Sequence, residues 1–450
     1  MKKIVLLAIL TLVISCHQKE KKQEKSTKFI FSSWVHAGKE FKKETWIKKL
    51  NFYDSLGISE ILIGGSPEIV AKIIPLANKK NIKVHGWMWT LNRPGDTVAQ
   101  KHPEWYAVNR NGQNSLEYKA YVNYYQWLSP FHPDARKYII NNAKKMMAVK
   151  GLASVHLDYV RYPDVILGAD LQPIYNLVQE TEMPEYDYDY HPIARAGFKK
   201  IFDKDPMDFK HPELSTEWRQ YRLNAVTSLV NEIINIAHSK DKKVTAAVFP
   251  FPEMSRQMVR QAWNDWKLDA AYPMLYQNFY RENIKWIGFA TAQGVRDVEF
   301  PIMAGLYVPG LGKVGDFEKA IRLSKENGAS GVSIFTVENL TDDQKAVLIK
   351  LNKEFDTFYE FNKFIRENNV IDDVLIVHFR WDTHGLKDKG NRHPFPIIKD
   401  KEAIRKVIGD SKMIMAHNGV LRQFDADKTL SDTQQFVIEI LSDKAVKENI

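Results

Sequence analysis

The run His156-Leu157-Asp158-Tyr159-Val160-Arg161-Tyr162-Pro163 sets one acid among two tyrosines and an arginine, directly after the mostly apolar run 152–155. A β-prone apolar stretch that passes into reactive side chains and a chain-turning proline describes a buried strand ending in a functional rim. A carboxylate so placed suits acid/base chemistry on a sugar, which makes Asp158 the first candidate catalytic group. The competing reading is structural, an ion pair in which Asp158 anchors Arg161. Cleavage of a glycosidic bond generally takes two carboxyl groups, one protonating the leaving oxygen and one acting as nucleophile or base. Glu253, after Phe249-Pro250-Phe251-Pro252, and Glu338 are the candidates for the second. A third possibility is that an N-acetyl group of the substrate replaces the protein nucleophile, with Tyr276 orienting it.

The elements that position these groups follow from periodicity. Strand-like runs recur at 29–35, 60–63, 83–89, 153–159, 243–249, 270–276, 301–306 and 331–336. Helical spacing lies between several of them, at 46–56, 135–149, 218–238 and 317–327. Eight strands alternating with helices predict an α/β fold, a (β/α)8 barrel over residues 29–352. Asp158 then ends the fourth strand and Glu253 follows the fifth, so neighbouring rims hold them across a short gap, and Glu253 is the preferred partner.

Aromatic and polar groups collect just past the same strand ends: Trp34, His36, Trp87, Trp89, Arg161, Tyr162, Tyr272 and Tyr276 are expected to bind substrate. Packing competes for each aromatic taken alone, and their concentration at one face favours the functional reading. His156, two positions before Asp158, shares its strand face and either tunes the acid or serves as a satisfied core histidine. Arg161 pairs with Asp158 or meets a substrate carboxylate. The long segment 164–216 predicts a lid or subdomain. Its Glu185-Tyr186-Asp187-Tyr188-Asp189-Tyr190 stretch reads equally as a sugar-stacking wall or cation site and as a solvated loop with some packed tyrosines.

A chain of 450 residues with 44% hydrophobic content predicts two globular units. The net charge of +9 comes from scattered lysines without a clustered basic and aromatic platform, which argues against nucleic-acid binding and is compatible with an acidic polysaccharide. Lys2 and Lys3 precede an apolar run at 4–14, the layout of a secretory signal. Val13-Ile14-Ser15-Cys16 resembles a bacterial lipobox, and Cys16 is the only cysteine, so residues 1–16 read as a signal peptide with Cys16 lipidated. Residues 17–28 form a lysine-rich tether. The expected location is the bacterial cell envelope, through a lipid anchor in the membrane. No cofactor or metal ligand set is expected, and nothing in the sequence fixes an oligomeric state.

His102-Pro103-Glu104-Trp105, then Trp127-Leu128-Ser129-Pro130 with Pro133 and Arg136, then the run around Asp158, then Tyr272-Pro273-Met274-Leu275-Tyr276, stand in an order that resembles the glycosyl-hydrolase-like family 10 proteins. The resemblance covers most of 29–352. It implies a TIM barrel acting on glycans, with Asp158 matching the family's strand-four acid.

A second resemblance begins after residue 352. Arg380 ends a strand-like run, His417-Asn418-Gly419 follows another, and Ser431-Asp432-Thr433 opens a helix. In this order they resemble a class II glutamine amidotransferase of the phage-like kind. The resemblance implies that Arg380 and Asp432 hold glutamine, and that Asn418 and Gly419 form an oxyanion hole. The nucleophilic cysteine is missing, as are the first strands of that fold. Residues 353–450 are therefore expected to be an incomplete α+β domain of N-terminal-nucleophile hydrolase type with a vestigial site, and glutaminase activity is not expected.

Overall fold

The structure is a computed structural model that describes residues 28–367. Cys16 and the glutamine-site residues Arg380, Asn418, Gly419 and Asp432 lie outside the described residues. Residues 29–353 form one compact unit.

Eight strands make up that unit: β1 (Ile30–His36), β2 (Glu60–Gly64), β3 (Lys83–Trp89), β4 (Ser154–Asp158), β5 (Val244–Val248), β6 (Ala270–Pro273), β7 (Met303–Tyr307) and β8 (Gly331–Phe335). All are parallel, in the order β6-β5-β4-β3-β2-β1-β8-β7. Parallel bridges Ala271↔Ile302 and Met274↔Gly305 join the two outer strands and close the barrel. Strands such as β2 and β5 are almost entirely buried, as expected where helices cover a sheet whose other face fills a barrel. The strand predicted over 270–276 stops at Pro273, and the chain leaves the sheet in a 3-10 turn at Gln277–Tyr280.

The covering helices are α1 (Lys43–Ser55), α2 (Pro67–Asn78), α3 (Pro133–Met147), α5 (Thr216–His238), α6 (Pro252–Val259), α7 (Lys285–Asp297), α8 (Val314–Glu326) and α9 (Asp342–Glu367), with α4 (Pro192–Phe202) in the long connection after β4. Their starts are local chemistry. Ser66 accepts from the Ile69 amide ahead of Pro67 in α2, and Ser215 caps the Trp218 amide of α5.

The barrel interior has an apolar layer of Trp34, Leu62, Trp87, Ala247, Tyr272 and Met303. Gly305 makes room for it, since a Cβ there would come within 3.0 Å of the Trp34 ring. Nearer the amino ends of the strands runs a polar chain. Glu60 meets His85 at 3.1 Å, His85 meets Ser154 at 2.6 Å, Ser154 meets Thr245 at 3.0 Å, and Thr245 meets His156 Nδ1 at 2.9 Å. The Trp34 indole completes it, donating to His156 Nε2 at 3.2 Å.

Two long connections stand on the carboxyl ends of the strands, residues 90–132 after β3 and 159–215 after β4. They are knitted together. Tyr190 N–H donates to the Val108 carbonyl at 2.7 Å, Val108 N–H to Asp189 at 3.2 Å, and Ser129 hydroxyl to Asp189. The acidic-tyrosine stretch is the packed core of this cap, in place of a sugar-stacking wall or cation site. Asp187 and Asp189 are fully buried, Arg222 and Arg260 pair with Asp187, and Tyr186 stacks on Tyr121 at 4.2 Å.

Candidate active site

Asp158 is the last residue of β4, so its side chain stands at the barrel mouth on a rigid strand. It is 8% exposed. Trp87 Nε1–H donates to one carboxyl oxygen at 2.9 Å, and the Tyr159 amide donates to the other at 2.6 Å. The chain turns sharply out of the strand at the next residue, and Tyr159 adopts φ +49°. That left-handed conformation costs a non-glycine residue about 1–3 kcal/mol. Burial raises the Asp158 pKa, and the Tyr159 amide, the Trp87 indole and the Arg161 charge offset only part of that rise. The carboxyl is thereby biased toward the protonated form that a general acid needs.

Trp87 is held in turn. Its ring lies 4.6 Å from the exposed His36 ring, and Gly64 leaves the room, because a Cβ at that position would stand 3.0 Å from the Trp87 ring and 3.1 Å from His36. Around the mouth the aromatic series continues. Trp89 lies 4.6 Å from Tyr159, Phe335 meets Trp87 edge-on at 6.4 Å, and Tyr276 packs on Tyr307 at 5.1 Å. Burial, then the Asp158 charge, holds the Tyr276 hydroxyl well above the usual phenol range, so it stays neutral.

Other predicted contacts lie inside the protein. His156 is fully buried. Because an indole N–H only donates, His156 Nε2 accepts from Trp34, and its proton sits on Nδ1 facing Thr245. Burial, then His85, lowers its pKa strongly, so it is a neutral core histidine engaged away from Asp158. Trp34 and Tyr272, 2% and 1% exposed, are barrel packing, and Tyr162, 1% exposed, lies beneath the cap. Arg161 pairs with neither Asp158 nor an open surface. Its guanidinium meets Asp164 at 3.2 Å and lies over the rings of Phe249, Trp127 and Tyr159.

The second carboxylates differ in commitment. Glu338 accepts from the Tyr53 hydroxyl at 2.5 Å and lies 3.8 Å from Lys49, both on α1. Glu253 is exposed in the first turn of α6 and makes no hydrogen bond or ion pair among the described residues. Neither acts on Asp158 in the way that Tyr159, Trp87 and Arg161 do. Among the described residues no group of three histidine, cysteine, aspartate or glutamate side chains is placed to hold a metal ion.

Residues not singled out from the sequence also border this region. Asn92, Arg93 and Asp96 line a cleft beside Trp89, and Tyr125 bonds Asp164 at 3.1 Å. The signal that could have found them is the length of the connection after β3, comparable to the one after β4.

A family model described as glycosyl hydrolase-like 10 matches residues 58–307. Among solved structures, a β-galactosidase from the psychrophilic Marinomonas ef1 superposes with a TM-score of 0.51 at 10% identity, over 76% of this chain and 61% of that one. The chain thus spans less than two thirds of that protein's length. The glycoside hydrolase domain of PgaB (BpsB) from Bordetella bronchiseptica gives 0.50 at 12% identity, over 74% and 98%. The catalytic domain of β-amylase from Paenibacillus polymyxa gives 0.50 at 10%, over 71% and 94%. Likeness at such identities is one of fold. No curated protein gives a significant match.

Proposed function

The chain belongs to the glycosyl hydrolase-like 10 family, and from that premise we propose that it hydrolyses O-glycosidic bonds of a polysaccharide or peptidoglycan glycan at the barrel mouth. The carrying observation is Asp158, a buried strand-end carboxyl whose pKa is raised and whose two oxygens are each fixed by one N–H donor. Asp158 is the general acid toward the leaving oxygen. Glu253 is the proposed nucleophile or base, because it is uncommitted while Glu338 is engaged by Tyr53 and Lys49. Trp87, Trp89 and Tyr276 line the sugar path, and the lipobox-like Cys16 anchors the chain to the cell envelope.

Release of reducing ends from peptidoglycan, plant and algal glycans tests the reading. With a cleaved substrate found, Asp158→Asn is expected to lower kcat by about 10²–10⁴, the range of general acid catalysis. Full activity of that variant would remove Asp158 from the mechanism. The absence of a second carboxylate among the groups acting on Asp158 favours one alternative, a glycan-binding protein without turnover. Saturable binding with no bond cleavage on the same glycans would establish it.

A further inference from the structure

We propose that the cleft beside the end of β3 is a subsite for a carboxylate-bearing sugar, gripped by Asn92 and Arg93. This rests on the reading of the barrel mouth as a glycan site and names the chemistry of one of its sugars. The cleft encloses about 510 Å³ between the start of the β3 connection and Tyr138 of α3, with Trp89, Asn92, Arg93, Asp96 and Thr97 on its walls.

Its donors have capacity to give. Asn92 is fully buried, and its Oδ1 accepts from the Gln126 amide at 2.8 Å, but its Nδ2 has no partner among the described residues. A buried amide donor left without an acceptor is unfavourable, and a ligand oxygen in the cleft relieves it. Arg93 uses Nε and one Nη2 hydrogen on Asp96, at 2.8 and 2.6 Å, and one Nη1 hydrogen on the Trp89 carbonyl at 2.8 Å. Of the five guanidinium N–H groups, roughly two remain to give. The side-chain carboxylate on the wall is saturated. Asp96 accepts from Arg93, from the Tyr138 hydroxyl at 2.8 Å, and from the Val98 and Ala99 amides at 3.1 Å. A cleft that offers spare planar N–H donors beside a saturated acid matches a group that only accepts, which a carboxylate is and a neutral sugar hydroxyl is not. The net charge of +9 draws such a ligand in.

The cleft adjoins the acid. Trp89 is the register partner of Asp158, and the Thr90 amide donates to the Asp158 carbonyl at 2.8 Å. The Trp89 wall of the cleft is thus on the strand next to the one that ends in Asp158. Two glycan sources carry the required group, uronic acids and the lactyl ether of peptidoglycan strands.

The test uses the full chain carrying Asp158→Asn, so that turnover is slow on the timescale of a titration, and follows tryptophan fluorescence. Oligogalacturonate, oligomannuronate and peptide-free peptidoglycan strands are titrated, each against its carboxyl-reduced form. The charged form of at least one is expected to bind about 10-fold or more tightly than its neutral form, and which one identifies the source. Adding Asn92→Asp keeps the bond to Gln126 but sets an acceptor where the donor stood. It is expected to abolish the preference of the charged form over the neutral one. Arg93→Lys, which retains a cation beside Asp96 but loses the fork, reports the same loss if Asn92→Asp does not fold. Equal affinity for charged and reduced forms, or an intact preference in both variants, overturns the subsite and leaves the glycan reading standing. Failure of every glycan, charged and neutral, to bind overturns both.

Discussion

At the scale of the residue, the chemistry concentrates on how Asp158 is held. Two N–H donors favour its charged form and burial favours its neutral form, and burial prevails. Activity that depends on protonated Asp158 is therefore expected to persist above the usual carboxylate range and to fall as pH rises through its raised pKa. Trp87→Phe removes the indole donor that lowers that pKa. The alkaline limb of the kcat/KM profile should then move to higher pH, and a limb that stays in place would show that Trp87 does not set the acid. His156 teaches the complementary lesson. Two residues from the acid and on the same strand, it nonetheless points its two nitrogens at Trp34 and Thr245. Period-two alternation gives the side of a strand and is silent on how far down a barrel a side chain reaches.

At the scale of the element, most strands were legible because each is a short apolar run between turn signals, and β3 begins and ends where its sequence pattern does. The cap was less legible. Its acids and tyrosines look solvated in sequence, yet Asp187 lies fully buried with Arg222, Arg260 and the Tyr190 hydroxyl around it. Burial pushes the Asp187 carboxyl up, but the Arg222 and Arg260 charges outweigh it and hold its pKa below the ordinary carboxylate value. A depressed folded pKa contributes stability that is present at neutral pH and is lost as pH falls through that pKa. Arg222→Met leaves the carboxylate with only the more distant Arg260 and the Tyr190 hydroxyl, and is expected to cost about 3 kcal/mol at pH 7, with the deficit shrinking on acidification. Thermal melts at pH 7 and pH 4 check this, and a deficit that is the same at both would refute the account.

At the scale of the whole molecule, residues 29–353 make a barrel whose eight strands close on themselves through bridges between β6 and β7. A chain ending at residue 367 is accordingly expected to keep the Tm of the barrel transition and its glycan activity, and a lost transition in calorimetry would show dependence on the residues removed. Lipidation is tested separately. Labelled palmitate should enter the full chain and fail to enter Cys16→Ser, and equal labelling would place the acyl group elsewhere. The eightfold alternation, the strand-four acid and the family resemblance were all determined by the sequence, because periodicity and motif order are local properties of a chain. Which polar groups share the mouth was decided only by tertiary structure. Arg161, three residues from Asp158, pairs with Asp164, while Trp87, 71 residues away, grips the acid. Strand register and barrel closure set those distances, and they arise from pairing among segments far apart in sequence.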